Sequence, residues 1–233
     1  MKSQPPLGQR IFYRVVRAVV LTPIKVAFRV RVRGRNKAPR RGAYIVAPSH
    51  RSLMDIFFTG FITRRRIRFM GKEELFKNRV LAWVFTRLGG FPVERGAADR
   101  TALRAAQTAL EGGEPVAIYP EGTRHEGPVI ETLFDGPCFL AARLGIPVVP
   151  VAVAGSEQIL PSGKTIPRPH RVVIVVGDPI EPPKREGRVR RNEVAQMTEQ
   201  LRVELQQRFD EALALAGVPG RSDRSASEVG EHE

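Results

Sequence analysis

Short apolar runs rich in β-branched residues recur along the chain, each closed by turn residues and most followed by a stretch of helical length. Residues 43 to 47 (Ala-Tyr-Ile-Val-Ala) precede Asp55-Ile-Phe-Phe-Thr-Gly-Phe, Ala117-Ile118-Tyr119 ends in Pro120-Glu121-Gly122, and Ile146 to Val153 is apolar on both faces. A strand that is apolar on both faces must be covered on both, and helices between strands allow them to run parallel. The pattern predicts an α/β fold, a mixed and largely parallel sheet flanked by helices. Strands are expected near 30–34, 43–47, 67–70, 90–94, 115–119, 147–153 and 171–176, and helices near 8–29, 53–63, 73–88, 97–112, 136–144 and 190–216. No repeat and no Pro- or Gly-rich linker divides residues 35–216, which read as one domain. Residues 1–34 form a basic segment before it, and residues 217–233, nearly devoid of apolar side chains, read as a disordered tail.

The strand ends carry the chemistry. In Ser49-His50-Arg51-Ser52-Leu53-Met54-Asp55 a histidine stands five residues before a carboxylate at a strand-to-helix junction, where α/β proteins place their sites. Two readings stand on spacing alone. An imidazole held by a carboxylate is a general base of fixed tautomer, able to take a proton from a hydroxyl. Ser52 and Asp55 also fit a helix capping box, in which Asp55 only satisfies backbone amides. Further along, Gly89-Gly90-Phe91-Pro92-Val93-Glu94-Arg95 and Glu121-Gly122-Thr123-Arg124 each put an arginine at a strand end, a pairing that suggests an anionic ligand.

The formal net charge is +14, and no acidic residue precedes Asp55. Such a run seeks a polyanion. Nucleic acid is not expected: no helix-turn-helix, zinc-finger or RNP pattern occurs, and no aromatics interleave with the cations as stacking platforms. An anionic membrane surface is the expected partner. On a helical wheel Arg10, Arg14, Arg17, Lys25 and Arg29 fall on one side, with Ile11, Val15, Ala18, Val19, Ile24 and Val26 over much of the rest. The longest uncharged run, Ala18 to Ile24, is far short of the ~20 residues a spanning helix needs, and the recurring charges argue against a signal peptide. Pro23 is expected to kink this helix or start a second. The competing reading docks the helix on the domain's own core.

Other chemistry is discounted. Cys138, the single cysteine, excludes an intrachain disulfide and reads as a buried structural thiol. His125 has only Glu126 as a nearby carboxylate in the sequence, His170 lies between prolines and a strand, and His232 is in the tail. No HExxH or CxxC spacing occurs, so no metal is expected. Gly163-Lys164-Thr165 resembles the end of a P-loop, but Gln158 stands where that motif needs glycine.

His50 to Asp55 resembles the HxxxxD block of the glycerolipid acyltransferases, the family of 1-acylglycerol-3-phosphate acyltransferase. Gly90 to Arg95 is similar to that family's second block, Glu121 to Arg124 to its EGTR block, and Ile146 to Val151 to its proline-containing fourth block, in the same order; the likeness runs from about residue 35 to about 210. The resemblance implies an acyltransferase that moves a fatty acyl group from acyl-CoA or acyl-ACP, as co-substrate, to the hydroxyl of lysophosphatidic acid or a related glycerol-phosphate lipid, with no bound cofactor. His50 would be the base and Asp55 its orienting partner. Arg95 and Arg124 would hold the acceptor phosphate. Lys72 is a further phosphate candidate, with a solvated lysine at a helix start as its competing reading. Glu121, Gly122 and Thr123 would position the arginines or the substrate. The protein would sit peripherally or monotopically on the cytoplasmic face of the cell membrane. Ser49 stands where asparagine is common, His125 where serine is usual, and Asp135 where a basic residue is frequent, so the acceptor could differ from lysophosphatidic acid. A thioester hydrolase using the same base, and a non-catalytic membrane-binding protein, are the alternatives.

Overall fold

Side chains alternate across the central strands, and that alternation sets the layers. In β2 (Ile45–Pro48), Ile45 and Ala47 enter one apolar cluster while Tyr44, just before it, and Val46 enter another; in β6 (Val148–Ala154), Val148, Ala152 and Ala154 join the first cluster and Val149, Val151 and Val153 the second. All seven residues of β6 are buried, as expected of a strand with apolar residues on both faces. The computed structural model describes residues 7–72, 76–93, 98–161, 166–183 and 187–220.

The remaining strands are β1 (Arg31–Arg33), β3 (Arg68–Lys72), β4 (Gly90–Val93), β5 (Val116–Ala117) and β7 (Val173–Val176). Among the described residues they form a 7-stranded sheet of order β1-β7-β6-β2-β5-β3-β4. Ile45 pairs with Val148 and with Val116, and Arg68 also pairs with Val116, so β2 to β6 all run the same way; only the β6–β7 pair is antiparallel. The carboxyl ends of five strands therefore share one edge. Helices α4 (Ala98–Glu111), α5 (Gly136–Leu144) and α7 (Arg191–Ala216) cover the first face through Leu110, Leu140, Leu201, Leu205 and Phe209. The second face is covered by α1 (Leu7–Ala27), α2 (Asp55–Thr59), α3 (Arg79–Leu88) and α6 (Ser156–Ile159) through Leu21, Phe58, Phe85 and Ile159. Each such side chain, fully buried, stabilises the fold by roughly 1.5–3 kcal/mol.

The expected mixed, largely parallel sheet between helices is what forms, and α5 occupies the expected 136–144. Elsewhere the differences have local causes. Helix α2 stops at Thr59 instead of reaching 63, and Arg17 of α1 donates to the carbonyls of Gly60 and Thr63 at 2.8 and 3.0 Å. Pro23 lies inside one uninterrupted helix. Gly89, at the turn before β4, has φ +111° and a Cβ there would lie 2.3 Å from the Ile67 carbonyl oxygen, so only glycine fits. The basic segment 1–34 shares the sheet through β1 and the core through Val16 and Leu21. Most of the expected tail, residues 221–233, lies outside the described residues.

Candidate active site

The turn that leaves β2 brings His50 back onto Asp55. Asp55 is wholly buried, and its Oδ2 lies 3.1 Å from His50 Nδ1 while accepting the amides of Arg51 and Ser52, both at 2.7 Å. An ionised carboxylate only accepts, so Nδ1 carries the proton and Nε2 is left with its lone pair. The His50 side chain is 16% exposed. Both readings of the pair are thus partly realised: Asp55 does satisfy backbone amides, though those before the helix, and one of its oxygens also holds the imidazole. The expected Ser52 cap is not formed, since Met54 occupies the cap position without a side-chain bond. Tyr119, at the end of β5, lies against the His50 ring with centres 4.2 Å apart and bonds Thr59 through its hydroxyl at 3.3 Å. Burial, with the Asp55 charge adding to it, raises the phenol pKa well above its usual value. It stays a neutral wall beside the imidazole. Next to it a small apolar cavity runs between α1, α2 and β3, with Leu21, Ile56, Phe57, Phe69 and Leu88 among its walls.

A second buried pair holds this turn in place. Arg51 is 5% exposed and Glu121 2%. Arg51 Nη1 donates to both oxygens of Glu121 at 2.9 and 2.8 Å, and the Glu121 carboxylate also accepts the His50 amide at 2.9 Å. The same guanidinium donates to the carbonyls of Gly127 and Val129 at 3.0 and 2.7 Å and lies 4.8 Å from the centre of the Phe209 ring of α7. Glu121 was expected to position Arg95, Arg124 or a substrate hydroxyl. Its oxygens instead accept from Arg51 and the His50 amide, so it braces the turn that carries His50.

Of the other expected residues, Gly122, Thr123, Arg124 and the backbone of Lys72 fall at the same sheet edge. Gly122, Thr123 and Arg124 are exposed on the turn after Tyr119, which is tied to the first turn by the His125 amide donating to the His50 carbonyl at 3.0 Å. Gly122 has φ +72°, and a Cβ there would meet the Phe134 ring at 2.5 Å. The backbone of Lys72 closes β3 at this edge. Arg95, expected on the phosphate, lies outside the described residues, two positions beyond the end of β4. His125 finds its carboxylate in Glu131, 3.5 Å from Nδ1, and not in Glu126. Asp135, expected to border an acceptor site, accepts from Thr198 of α7 at 2.8 Å. Cys138 is buried, its thiol pushed up to about 11 mainly by desolvation, which suits a structural group and not a nucleophile. Arg51 and Tyr119 were missed as site residues. Arg51 gave no local signal, because its carboxylate partner lies 70 positions away and is brought to it only by the pairing of β2 with β5.

The sequence profile of the Acyltransferase family matches residues 29–154, a stretch that contains both turns. The chain belongs to this family. A 1-acyl-sn-glycerol-3-phosphate acyltransferase of Bacillus subtilis is 28% identical to this acyltransferase over 152 residues, 65% of this chain and 73% of that protein. A Streptococcus pneumoniae protein of the same name is 27% identical over 178 residues, 75% of this chain and 64% of its own length. Among solved structures, the crystal structure of the 1-acyl-sn-glycerophosphate (LPA) acyltransferase PlsC of Thermotoga maritima superimposes with a TM-score of 0.64 and 25% identity, covering 88% of this acyltransferase and 87% of that chain.

Proposed function

We propose that this acyltransferase acylates the free hydroxyl of lysophosphatidic acid in phospholipid synthesis, with His50 as the base. The observation that carries the reading is the His50–Asp55 pair, buried at Asp55 and open at Nε2, in a family whose compared relatives bear that activity in their names. His50 Nε2 takes the proton of the acceptor hydroxyl as its oxygen attacks the thioester carbonyl; the new C–O bond forms, the C–S bond breaks, and the imidazolium returns the proton to the departing thiolate. Asp55 fixes the tautomer and balances the imidazolium charge. No acyl-enzyme is formed. The donor is an acyl-CoA or acyl-ACP. Arg124, Arg95 and Lys72 hold the acceptor phosphate, since guanidinium forks match its oxygens.

The protein works as a peripheral or monotopic enzyme on an anionic leaflet, at the cytoplasmic face of the cell membrane, through α1. No described helix is long and apolar enough to cross a membrane. The expected division of the α1 surface changes in one respect: Arg17 and Ile24 face the domain, so the lipid side consists of Ile11, Phe12, Val15, Val19 and Val26.

The test is mass spectrometry of products from the purified chain with an acyl thioester and a panel of lysophospholipid and glycerol-3-phosphate acceptors. An ester product that requires a phosphate-bearing acceptor is expected. Release of free fatty acid at the same rate without acceptor would make the protein a thioester hydrolase, and no thiol release at all would leave it non-catalytic.

A further inference from the structure

Two helices that lie beside the site present an apolar face that the fold leaves uncovered. On α1, Ile11, Val15, Val19 and Val26 follow at spacings of four, four and seven and share one side of the helix with Phe12, away from the buried Leu21. They are 51, 54, 68, 72 and 40% exposed in the order Ile11, Val15, Val19, Val26, Phe12. On α3, Val80 and Trp83 are 71 and 48% exposed, while Phe85 is buried. The two faces are continuous. Phe12 packs edge-on against Trp83 with ring centres 6.1 Å apart, and the Arg87 guanidinium lies over both rings at 4.9 and 5.9 Å. A joined apolar surface of this kind marks a docking site.

Charge decides what docks there. Neither α1 nor α3 carries an acidic residue, and Arg14, Lys25, Arg79 and Arg87 are exposed on them. A second copy laid face to face would oppose cations to cations. An anionic leaflet satisfies both parts of the surface, its headgroups meeting the arginines and its acyl region the valines and rings. Tryptophan, with an apolar body and one N–H donor, settles at the headgroup level of such an interface.

We infer that α1 and α3 form a single membrane-facing surface, with Trp83 seated among the headgroups; this rests on the peripheral membrane reading above and adds α3 to it. The consequence for the site is geometric. Leu21 of α1 and Leu88 of α3 both line the apolar cavity beside Tyr119, so that cavity lies directly behind the attached surface.

Trp83 is the only tryptophan of the chain, which makes it a native reporter. The full chain is sedimented with vesicles of phosphatidylglycerol and phosphatidylcholine while its emission is followed. The expected result is a blue shift on the anionic vesicles, with quenching by lipids brominated near the headgroup. Val80→Glu is expected to lower the bound fraction at least roughly fivefold, because it removes an apolar contact with the lipid and adds an anion at the same place. Since Val80 is largely exposed, this variant tests the surface without endangering the core. Sedimentation with unshifted Trp83 emission and unchanged Val80→Glu binding would overturn the inference and leave α1 as the attachment. Failure to sediment on any vesicle would remove both readings. A blue shift that grows with protein concentration in the absence of lipid would assign the face to a second copy and overturn it as well.

Discussion

The turns that leave β2 and β5 lie side by side at one sheet edge, and each buries a carboxylate, yet the two acids do different work. Asp55 holds the Nδ1 side of an imidazole that is 16% exposed, and on the proposed mechanism its charge serves a proton moving at Nε2. Glu121 faces a guanidinium whose Nε, Nη1 and Nη2 all donate to protein acceptors, in a pair whose side chains are 1% and 0% exposed. On the proposed mechanism one acid supports chemistry, while the other is tied into the frame of the turn. The lesson is that a buried carboxylate is assigned by the partner it holds and by what that partner still has free, not by its own burial.

That contrast can be broken most directly at His50. His50→Ala is expected to lower turnover by ~10²- to 10⁴-fold, the usual loss for a general base, with the thermal transition unchanged; near-normal turnover in a folded variant would end the distinction. On the other side, Arg51→Ala leaves Glu121 buried without its counter-charge and is expected to cost about 3–5 kcal/mol of stability. Denaturant titration measures it, and the joint replacement Arg51→Met with Glu121→Leu is expected to recover much of that loss, as an apolar pair of similar volume often does. A double variant that is stable yet inactive would show that the frame also sets the His50 geometry.

A smaller effect is expected at the exposed arginine. Arg124→Ala should weaken acceptor use by roughly 1.5–3 kcal/mol, the worth of charge-assisted hydrogen bonds, and leave the dependence on thioester concentration unchanged. Equal loss toward both substrates would make Arg124 part of the frame. The smallest change is expected for Tyr119→Phe, which keeps the wall beside His50 and removes only the bond to Thr59, worth about 1 kcal/mol of stability. A large fall in turnover for that variant would give the phenol a part in the reaction.

Much of this was readable from sequence because its determinants are local. The β-branched runs and their turn residues located the strands, and the five-residue spacing from His50 to Asp55 placed a polar pair at a strand end. The Arg51–Glu121 pair was not readable in the same way: it joins residues 70 positions apart, and only the adjacency of β2 and β5 brings them together. The faces of α1 failed for a related reason. A wheel gives relative angles but not which side meets the domain: Arg17, on the basic side, and Ile24, among the apolar residues of the rest, both turn to the domain, where the carbonyls of Gly60 and Thr63 and the second apolar cluster hold them.

Helix α7 reaches the site from the far end of the chain. Gln206 donates to the Pro128 carbonyl and accepts the Ile130 amide, and Phe209 lies under the Arg51 guanidinium, so the segment after the EGTR turn is held by residues that are added late in synthesis. A nascent chain that has already exposed His50, Asp55 and Glu121 outside the ribosome still lacks the clamp on residues 128–130. That clamp closes only when residues 206 to 209 have emerged and docked, so the EGTR turn reaches its final bracing last of all the parts around His50.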